Sequence, residues 1–372
     1  MAGSRHVFLG LSLLFFVACA PTTRVASPVI QATPIVITPH DDETPDHKFD
    51  RARALLLEGK GRAAAPLFDQ LADADLLAPA SRYNAGIAWE QAGDLAAALQ
   101  RFQNVAEHSR EGELGRFAAL RAARLFSYLE RWSELSAMSE RLMARVDLSD
   151  VERLEAYGAK ALAVVESGDP EGAVRFIARG RDIIVALRLG EGGQLPLEVA
   201  QIHFALGEVR KQRSEKITFD PVPPNFAEVL EQRCQGLLDA QSAYSDAMRS
   251  YDAHWAAMSG YRVGQLYQRL HVDLLSIPVP TSAKTSESKR LFEGAMRQRY
   301  RVLLDKGLAL MDHTLQIGER TGEVSAWIDR ARASKREIEA ALAEQKTLLS
   351  QLPYTERVLQ QALDDLARGK QP

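Results

Sequence analysis

The most restrictive feature of the sequence is a pattern of small, turn-forming and bulky residues that recurs after 34 residues. Residues 52–71 and 86–105 carry matching residue types at five positions. The matching pairs are Ala52/Gly86, Gly59/Gly93, Ala64/Ala98, Phe68/Phe102 and Leu71/Val105. Self-similarity at a fixed period of this length is typical of architectures in which each repeat is one supersecondary unit. The chain is therefore expected to fold as an array of similar units.

The residue types indicate how one such unit is built. A small residue such as Ala98 allows two helices to approach closely, and Phe102 fills the space beside it. Gly59 and Gly93 suit the turn between the helices, where a positive φ is often required. Trp89 follows Gly86 by three residues and takes an aromatic packing position. Each unit is thus predicted to be a pair of antiparallel helices.

Residues at this spacing resemble the tetratricopeptide repeat, whose unit is a 34-residue helix–turn–helix. The resemblance covers residues 48–185 and fades towards residue 320. Weaker copies contain Ala123, Phe126 and the turn 130–132, and then Ala161 with Gly168-Asp169, Ala173 and Phe176. The resemblance implies an all-α fold, an α-solenoid of helix pairs with a concave groove lined by the first helix of each pair.

The same resemblance implies where a partner would bind. Polar residues on the first helices of tetratricopeptide repeats contact the partner, and the clearest repeat offers Arg82, Asn84 and Gln91. Tyr83 and Trp89 are expected to pack between helices instead. A helix or an extended peptide is the kind of ligand that such a groove accepts.

Residues 186–372 are predicted to form longer, degenerate helical repeats and a C-terminal cap. Apolar residues recur at helical spacing over 197–216, 226–275, 286–320 and 324–349. Leu206-Gly207 and Val263-Gly264 are typical of first helices in degenerate repeats. A last helix near 354–368 carries Leu359, Ala362, Leu363 and Leu366 on one face, which is expected to seal the apolar end of the array. No sheet is expected.

The N-terminus reads as an export signal, assigned to residues 1–19. Basic residues precede the apolar run 7–17, which is about 16 Å long as a helix and too short to cross a bilayer. The run ends in Phe16-Val17-Ala18-Cys19, which resembles a bacterial lipobox, although leucine is the usual residue where Phe16 stands. The alternative is ordinary cleavage after Ala20. With a lipobox, Cys19 is acylated and anchors the chain.

Residues 20–47 are predicted to form a tether, because five prolines interrupt both helix and strand there. Ala20 and Pro21 follow the cysteine where an aspartate would retain a lipoprotein in the inner membrane, so the resemblance implies the periplasmic face of the outer membrane. A soluble periplasmic or secreted protein is the alternative.

Composition and motifs argue against other classes of function. A net charge of −3 provides no global positive field to attract nucleic acid. The sequence has no Walker A motif, no H-E-x-x-H and no G-x-S-x-G. Its histidines are scattered, and Cys234 is interpreted as an inert thiol on a helix. No cofactor and no metal site are expected.

The expected function is therefore a non-catalytic envelope scaffold that binds other envelope proteins. Within that class, a motility or secretion component competes with an outer-membrane-protein assembly factor. The similarity to tetratricopeptide lipoproteins of Gram-negative envelopes supports this class. A carrier of peptides or lipids, and an enzyme with its site in the divergent region 195–330, remain as alternatives.

Overall fold

The computed structural model describes residues 44–110, 112–193, 195–281 and 283–367, with side chains up to residue 362. These residues form α-helices joined by turns, with one short 3-10 helix at Leu197–Val199 and no β-strand. The helices are α1 (Pro45–Leu57), α2 (Gly61–Asp73), α3 (Ala78–Gln91), α4 (Leu95–His108), α5 (Glu113–Tyr128), α6 (Trp132–Met143), α7 (Asp150–Glu166), α8 (Pro170–Ala186), α9 (Ala200–Glu215), α10 (Phe226–Met248), α11 (Ala253–Leu275), α12 (Ser286–Thr321), α13 (Ala326–Ser350) and α14 (Glu356–Ala367). The expected all-helical class is confirmed for this part of the chain.

Cys19, the predicted signal peptide and most of the predicted tether lie outside the described residues. The tether ends earlier than predicted, because α1 begins at Pro45. Thr44 caps this helix, and its side chain accepts a hydrogen bond from the His47 backbone N–H over 3.3 Å. A proline is tolerated in the first turn, where its missing N–H would have had no helical partner. None of the described helices combines the length and the apolar character needed to cross a membrane.

The described part of the chain divides into two compact units, one ending at residue 92 and the other beginning at residue 93. In the first unit, α2 packs against both α1 and α3. Phe68 is completely buried, and Phe49 meets its ring edge-on at 5.3 Å. Ala52 and Ala64 are also fully buried.

In the second unit, consecutive helices pack in antiparallel succession from α4 to α13, and α14 packs on α12. The first helices of the pairs also contact one another, since α7 touches α5 and α9, and α11 touches α9 and α13. Within the described residues no comparable packing joins α6 to α8 or α8 to α10. The helices α5, α7, α9, α11 and α13 therefore form a continuous row, called here the first-helix row.

The turns that follow α1, α3, α5 and α7 share one backbone feature. Each contains a residue in the left-handed region: Gly59 (φ +79°), Gly93 (φ +81°), Glu130 (φ +57°) and Gly168 (φ +93°). An aspartate follows the glycine in two turns and caps the next helix. Asp94 accepts from the Ala97 N–H over 2.9 Å, and Asp169 accepts from the Gly172 N–H over 2.8 Å. The predicted likeness of Gly93-Asp94 and Gly168-Asp169 is thus seen in their geometry.

The side chains that follow these turns explain why the sequence period weakens. A small residue and a bulky one follow each glycine by five and nine residues: Ala64 and Phe68, Ala98 and Phe102, Ala173 and Ile177. After Glu130 the order of sizes is reversed, with Leu135 and then Ser139, both fully buried. In the fourth pair, the bulky position belongs to Ile177 and not to Phe176, which is only half-buried.

The C-terminal half follows the predicted helices with one correction. Residues 226–275 form two helices and not one, because the chain turns at 249–252 with Tyr251 at φ +56°. Asp252 then caps α11, accepting from the Trp255 N–H over 2.9 Å. Both predicted first helices belong to close pairs. A Cβ on Gly207 would lie 2.6 Å from the Tyr244 ring of α10, and one on Gly264 would lie 2.5 Å from Met311 of α12.

The terminal helix α14 covers an apolar surface of α12, as expected for a cap. Leu359 and Ala362 are buried against Ala295 and Met296. Of the four residues predicted for this face, Leu363 and Leu366 have side chains outside the described part.

Candidate functional site

The residues predicted to build the repeat occupy interior or turn positions. Ala52, Ala64, Phe68, Ala98 and Phe102 are fully buried, Gly86 is also buried, and Gly59 and Gly93 lie in turns. Trp89 is half-buried, and its Nε1 donates a hydrogen bond to Asp69 Oδ2 over 2.9 Å. That contact joins α3 to α2.

The three predicted partner-binding residues have different surroundings on α3. Arg82 donates from Nη2 to the Ala72 carbonyl over 3.3 Å, and Gln91 donates from Nε2 to the Leu56 carbonyl over 3.3 Å. Asn84 is only 3% exposed. Nine residues separate Arg82 from Gln91, or about 13 Å along a helix axis. Their positions on α3 therefore do not bring them together in one compact site.

A largely buried group of interacting charges lies in the second unit, on the first-helix row. Arg262 of α11 reaches two carboxylates of neighbouring helices. Its Nη2 donates to Glu166 Oε1 over 3.1 Å, and its Nε lies 2.5 Å from Glu208 Oε1. Tyr244 donates its hydroxyl to the same Glu208 oxygen over 2.9 Å. Four helices, α7, α9, α10 and α11, thus meet at one guanidinium and two carboxylates.

This cluster is largely shielded from solvent. The side chain of Glu208 is 1% exposed, while those of Glu166 and Arg262 are 13% and 16% exposed. Lys211 Nζ lies 3.9 Å from Glu208 and 3.1 Å from Glu215, so it is shared with a second carboxylate. A single guanidinium therefore provides most of the compensation for Glu166 and Glu208 together.

Burial and like charge perturb the protonation of these groups. Burial, followed by the negative charge of Glu208, raises the pKa of Glu166 to about 7, although Arg262 acts in the opposite direction. Burial opposes the charged form of Arg262, but Glu208 and Glu166 outweigh it and raise the pKa of the guanidinium. The pKa of Tyr244 is raised well above its ordinary value, mainly by burial and next by Glu208. The pKa of Glu166 therefore lies close to neutral pH.

Three further contacts accompany the Arg262 cluster, and two of them, made by Tyr128 and Glu130, connect the same parts of the chain. Tyr128, the last residue of α5, stacks on His254 of α11 at 3.9 Å between ring centroids. His254 Nδ1 lies 3.0 Å from Glu323 Oε1, and this interaction lowers the pKa of Glu323 although burial alone would raise it. Glu130 forms an ion pair of 2.6 Å with Arg330 of α13.

Trp327 of α13 connects these contacts. The guanidinium carbons of Arg262 and Arg330 lie 5.1 Å and 4.3 Å from its ring centroid. Cation–π contacts of this kind are favourable, more so when they are removed from water. We call the whole set the junction, defined by Tyr128, Glu130, Glu166 and Glu208 on one side and His254, Arg262, Trp327 and Arg330 on the other.

Sequence reasoning did not single out the charged members of the junction. Glu208 adjoins the Leu206-Gly207 pair, and Arg262 adjoins Val263-Gly264, both of which had been assigned to first helices. The available signal was a charged residue within two positions of a glycine on a predicted first helix. Pairing of Glu166 with Arg262, which are 96 residues apart, had no local signal.

Two other titratable groups of the row, Glu155 and His271, have structural partners. Arg124 of α5 pairs with Glu155 of α7 at 2.6 Å. Burial raises the pKa of Glu155 in spite of this pairing. Burial also lowers the pKa of His271 to about 4, and its Nε2 lies 2.7 Å from the Gln345 amide nitrogen. In the described part of the chain, no group of three or more histidine, cysteine, aspartate or glutamate residues has an arrangement that could hold a metal ion.

The sequence matches no protein-family model, and no curated protein shows significant similarity to it.

Proposed function

We propose that this chain is a non-catalytic scaffold of tetratricopeptide-like helix pairs that binds other proteins of a bacterial envelope. In this proposal Cys19 is lipidated and anchors the chain at the periplasmic face of the outer membrane, and residues that follow it act as a tether. Motility, secretion or envelope assembly machinery would supply the partners. The alternatives for localisation remain a soluble periplasmic or a secreted protein.

One observation carries the proposal: the turns that follow α1, α3, α5 and α7 share the same backbone feature. The left-handed residue recurs at 59, 93, 130 and 168, at intervals of about 34 to 38 residues, with a small and a bulky buried residue behind it. Arrays of this kind use an extended surface to hold a partner, and their stability comes from contacts between neighbouring repeats. A binding function therefore suits this architecture better than a single catalytic pocket.

An enzyme is the second candidate, because the Arg262 cluster lies partly in the divergent region 195–330. It contains a carboxyl that exchanges its proton near neutrality, which general acid–base catalysis would require. However, Glu208 and the Tyr244 hydroxyl are almost completely buried, and both already bind other groups of the cluster. A substrate would have to replace those contacts, so we favour the binding function.

Crosslinking in intact envelopes tests the proposal. The wild-type chain is compared with Arg82→Glu on α3 and with Arg62→Glu, an exposed arginine of α2 that serves as the charge-matched control. We expect Arg82→Glu to lower the yield of specific crosslinked partners by about tenfold, the equivalent of 1.4 kcal/mol. Arg62→Glu should leave the yield unchanged. Equal yields from all three chains would refute the assignment of α3.

Cell fractionation of Cys19→Ala tests the anchor separately. The substitution should release the chain from the membrane fraction, because the acylated cysteine is the proposed attachment. Retention of Cys19→Ala in the membrane would show that lipidation of this residue is not what holds the chain there.

A further inference from the structure

The junction joins two sets of helices that are distant in the sequence. Glu130 and Glu166 belong to the segment 113–215, whereas His254, Arg262 and Arg330 belong to the segment 253–350. Between these segments, Trp255 packs on Tyr128 at 5.7 Å and on Phe204 at 5.4 Å. The other contacts of the junction are the stacking of Tyr128 on His254, the cation–π contacts of Trp327, and ion pairs and hydrogen bonds. The contact between these two segments therefore depends on charged groups as well as on aromatic packing.

We propose that closure of the junction, meaning contact between its two sides, is linked to a proton on Glu166. The open form is the one in which these contacts are broken. When Glu166 is protonated, the guanidinium of Arg262 compensates the charge of Glu208 alone. The contacts of α11 and α13 with α7 and α9 are then stable. When Glu166 ionises, two carboxylates share one buried guanidinium, and the junction loosens. The inference is independent of the proposed binding function, because it concerns contacts within this chain.

The charged surroundings of Glu166 come from several helices. α9 provides Glu208 and Lys211, α11 provides Arg262, and α10 provides Tyr244 through its bond to Glu208. The other helices packed on α7 place charged groups in pairs of their own: Arg124 with Glu155, Glu140 with Lys160, and Glu171 with Arg213. The negative charges of Glu166 and Glu208 are therefore compensated by Arg262 and by Lys211, which is shared with Glu215.

The direction of the pH dependence follows from proton linkage. Glu166 has a pKa of about 7 in the closed structure, against 4.5 for an ordinary glutamate. A closed state that binds the proton more tightly is favoured at low pH, and this advantage is lost as the pH rises from about 4.5 to 7. The full difference corresponds to a change of up to about 300-fold in the ratio of closed to open forms. The contribution of Glu166 becomes constant only about one pH unit above its pKa, near pH 8.

Amide hydrogen exchange of the full chain tests this inference. Protection factors, corrected for the intrinsic effect of pH on exchange, are measured between pH 5 and pH 8 for residues 253–262 and 326–331. We expect protection in both segments to fall as the pH rises, by one order of magnitude or more. Amides in the middle of α12, which pack on α11 and not at the junction, should keep their protection.

Glu166→Gln carries a permanently neutral side chain of the same shape. In this variant the protection factors of residues 253–262 and 326–331 should be high and independent of pH. Glu171→Gln is the matched control, because Glu171 lies on the next helix, is exposed and pairs with Arg213 at 2.5 Å. This control should keep the wild-type pH dependence. A flat wild-type profile would overturn the inference, even if Glu166→Gln failed to fold. An unchanged slope in folded Glu166→Gln would overturn it as well.

Discussion

Replacing Arg262 by methionine is the sharpest test of how the second unit is held together. Methionine keeps a long apolar side chain beside Trp327 but removes the charge that serves Glu166 and Glu208. Removal of one partner from a buried ion pair typically costs about 3–5 kcal/mol, because the remaining charge is left without compensation. Since two carboxylates depend on this guanidinium, we expect Arg262→Met to lower the free energy of unfolding by about 3–5 kcal/mol at pH 8.

The size of this loss should depend on pH and on the two carboxylates. Without Arg262 both carboxyls should bind protons more readily, so the destabilisation should be smaller at pH 5 than at pH 8. The triple variant Arg262→Met/Glu166→Gln/Glu208→Gln no longer buries unpaired charges. It should regain most of the lost stability and lie within about 2 kcal/mol of the wild type.

Urea denaturation followed by circular dichroism at 222 nm measures both effects. The wild type, the single variant and the triple variant are compared at pH 5 and pH 8, with slopes checked so that midpoints can be converted to free energies. A loss below about 1 kcal/mol for Arg262→Met would refute the reasoning. So would a triple variant that is no more stable than the single one, because the penalty would then not come from the carboxylates.

Two further predictions concern the turns and the single thiol of the described region. Gly168→Ala should destabilise the chain by about 1 kcal/mol, because alanine avoids a positive φ and no atom lies near the new methyl group. Gly192→Ala also adds a methyl group in open space but needs no positive φ, so its melting temperature should not fall; equal losses in the two variants would contradict the backbone argument. Burial raises the pKa of Cys234, and in a Cys19→Ala chain its thiol should react with iodoacetamide at least about tenfold more slowly than a free thiol at pH 7.5. Alkylation of the folded chain at the free-thiol rate would show that Cys234 is accessible and reactive.

The helices and their turns were predictable because their determinants are local. Alternation of small and bulky residues, glycines at the turns and apolar residues at helical spacing indicated most helices to within a few residues. The main local error concerns 226–275, where no glycine or proline marks the turn between α10 and α11. Tyr251 adopts the left-handed conformation there without a residue type that favours it. Sequence patterns cannot locate a turn that is formed against local preference and is held by contacts on either side.

The third helix pair shows the same limit in its packing. Glu130 replaces the turn glycine, and Leu135 and Ser139 exchange the sizes found in the other pairs. The total volume is roughly preserved, which is the condition that a close-packed interior imposes. Glu130 also forms the ion pair with Arg330, so this turn has a function in the junction that a glycine could not supply. The 34-residue sequence period is thus lost at the turn where a helix pair forms an additional ion pair with a distant helix.

The distribution of apolar and charged contacts in the second unit has a physical cause. Within a helix pair, small residues such as Gly207 and Gly264 bring the helices so close that a side chain of the second helix packs directly on the backbone of the first. At the junction, segments from different pairs meet at the ends of α5 and α7, where Tyr128, Glu130 and Glu166 are the last residues of helices or lie in turns. Long side chains such as Arg262 and Arg330 can span the wider gap. Because these pairs contribute specificity more readily than stability, the junction is the part of the unit that changes of pH should affect first.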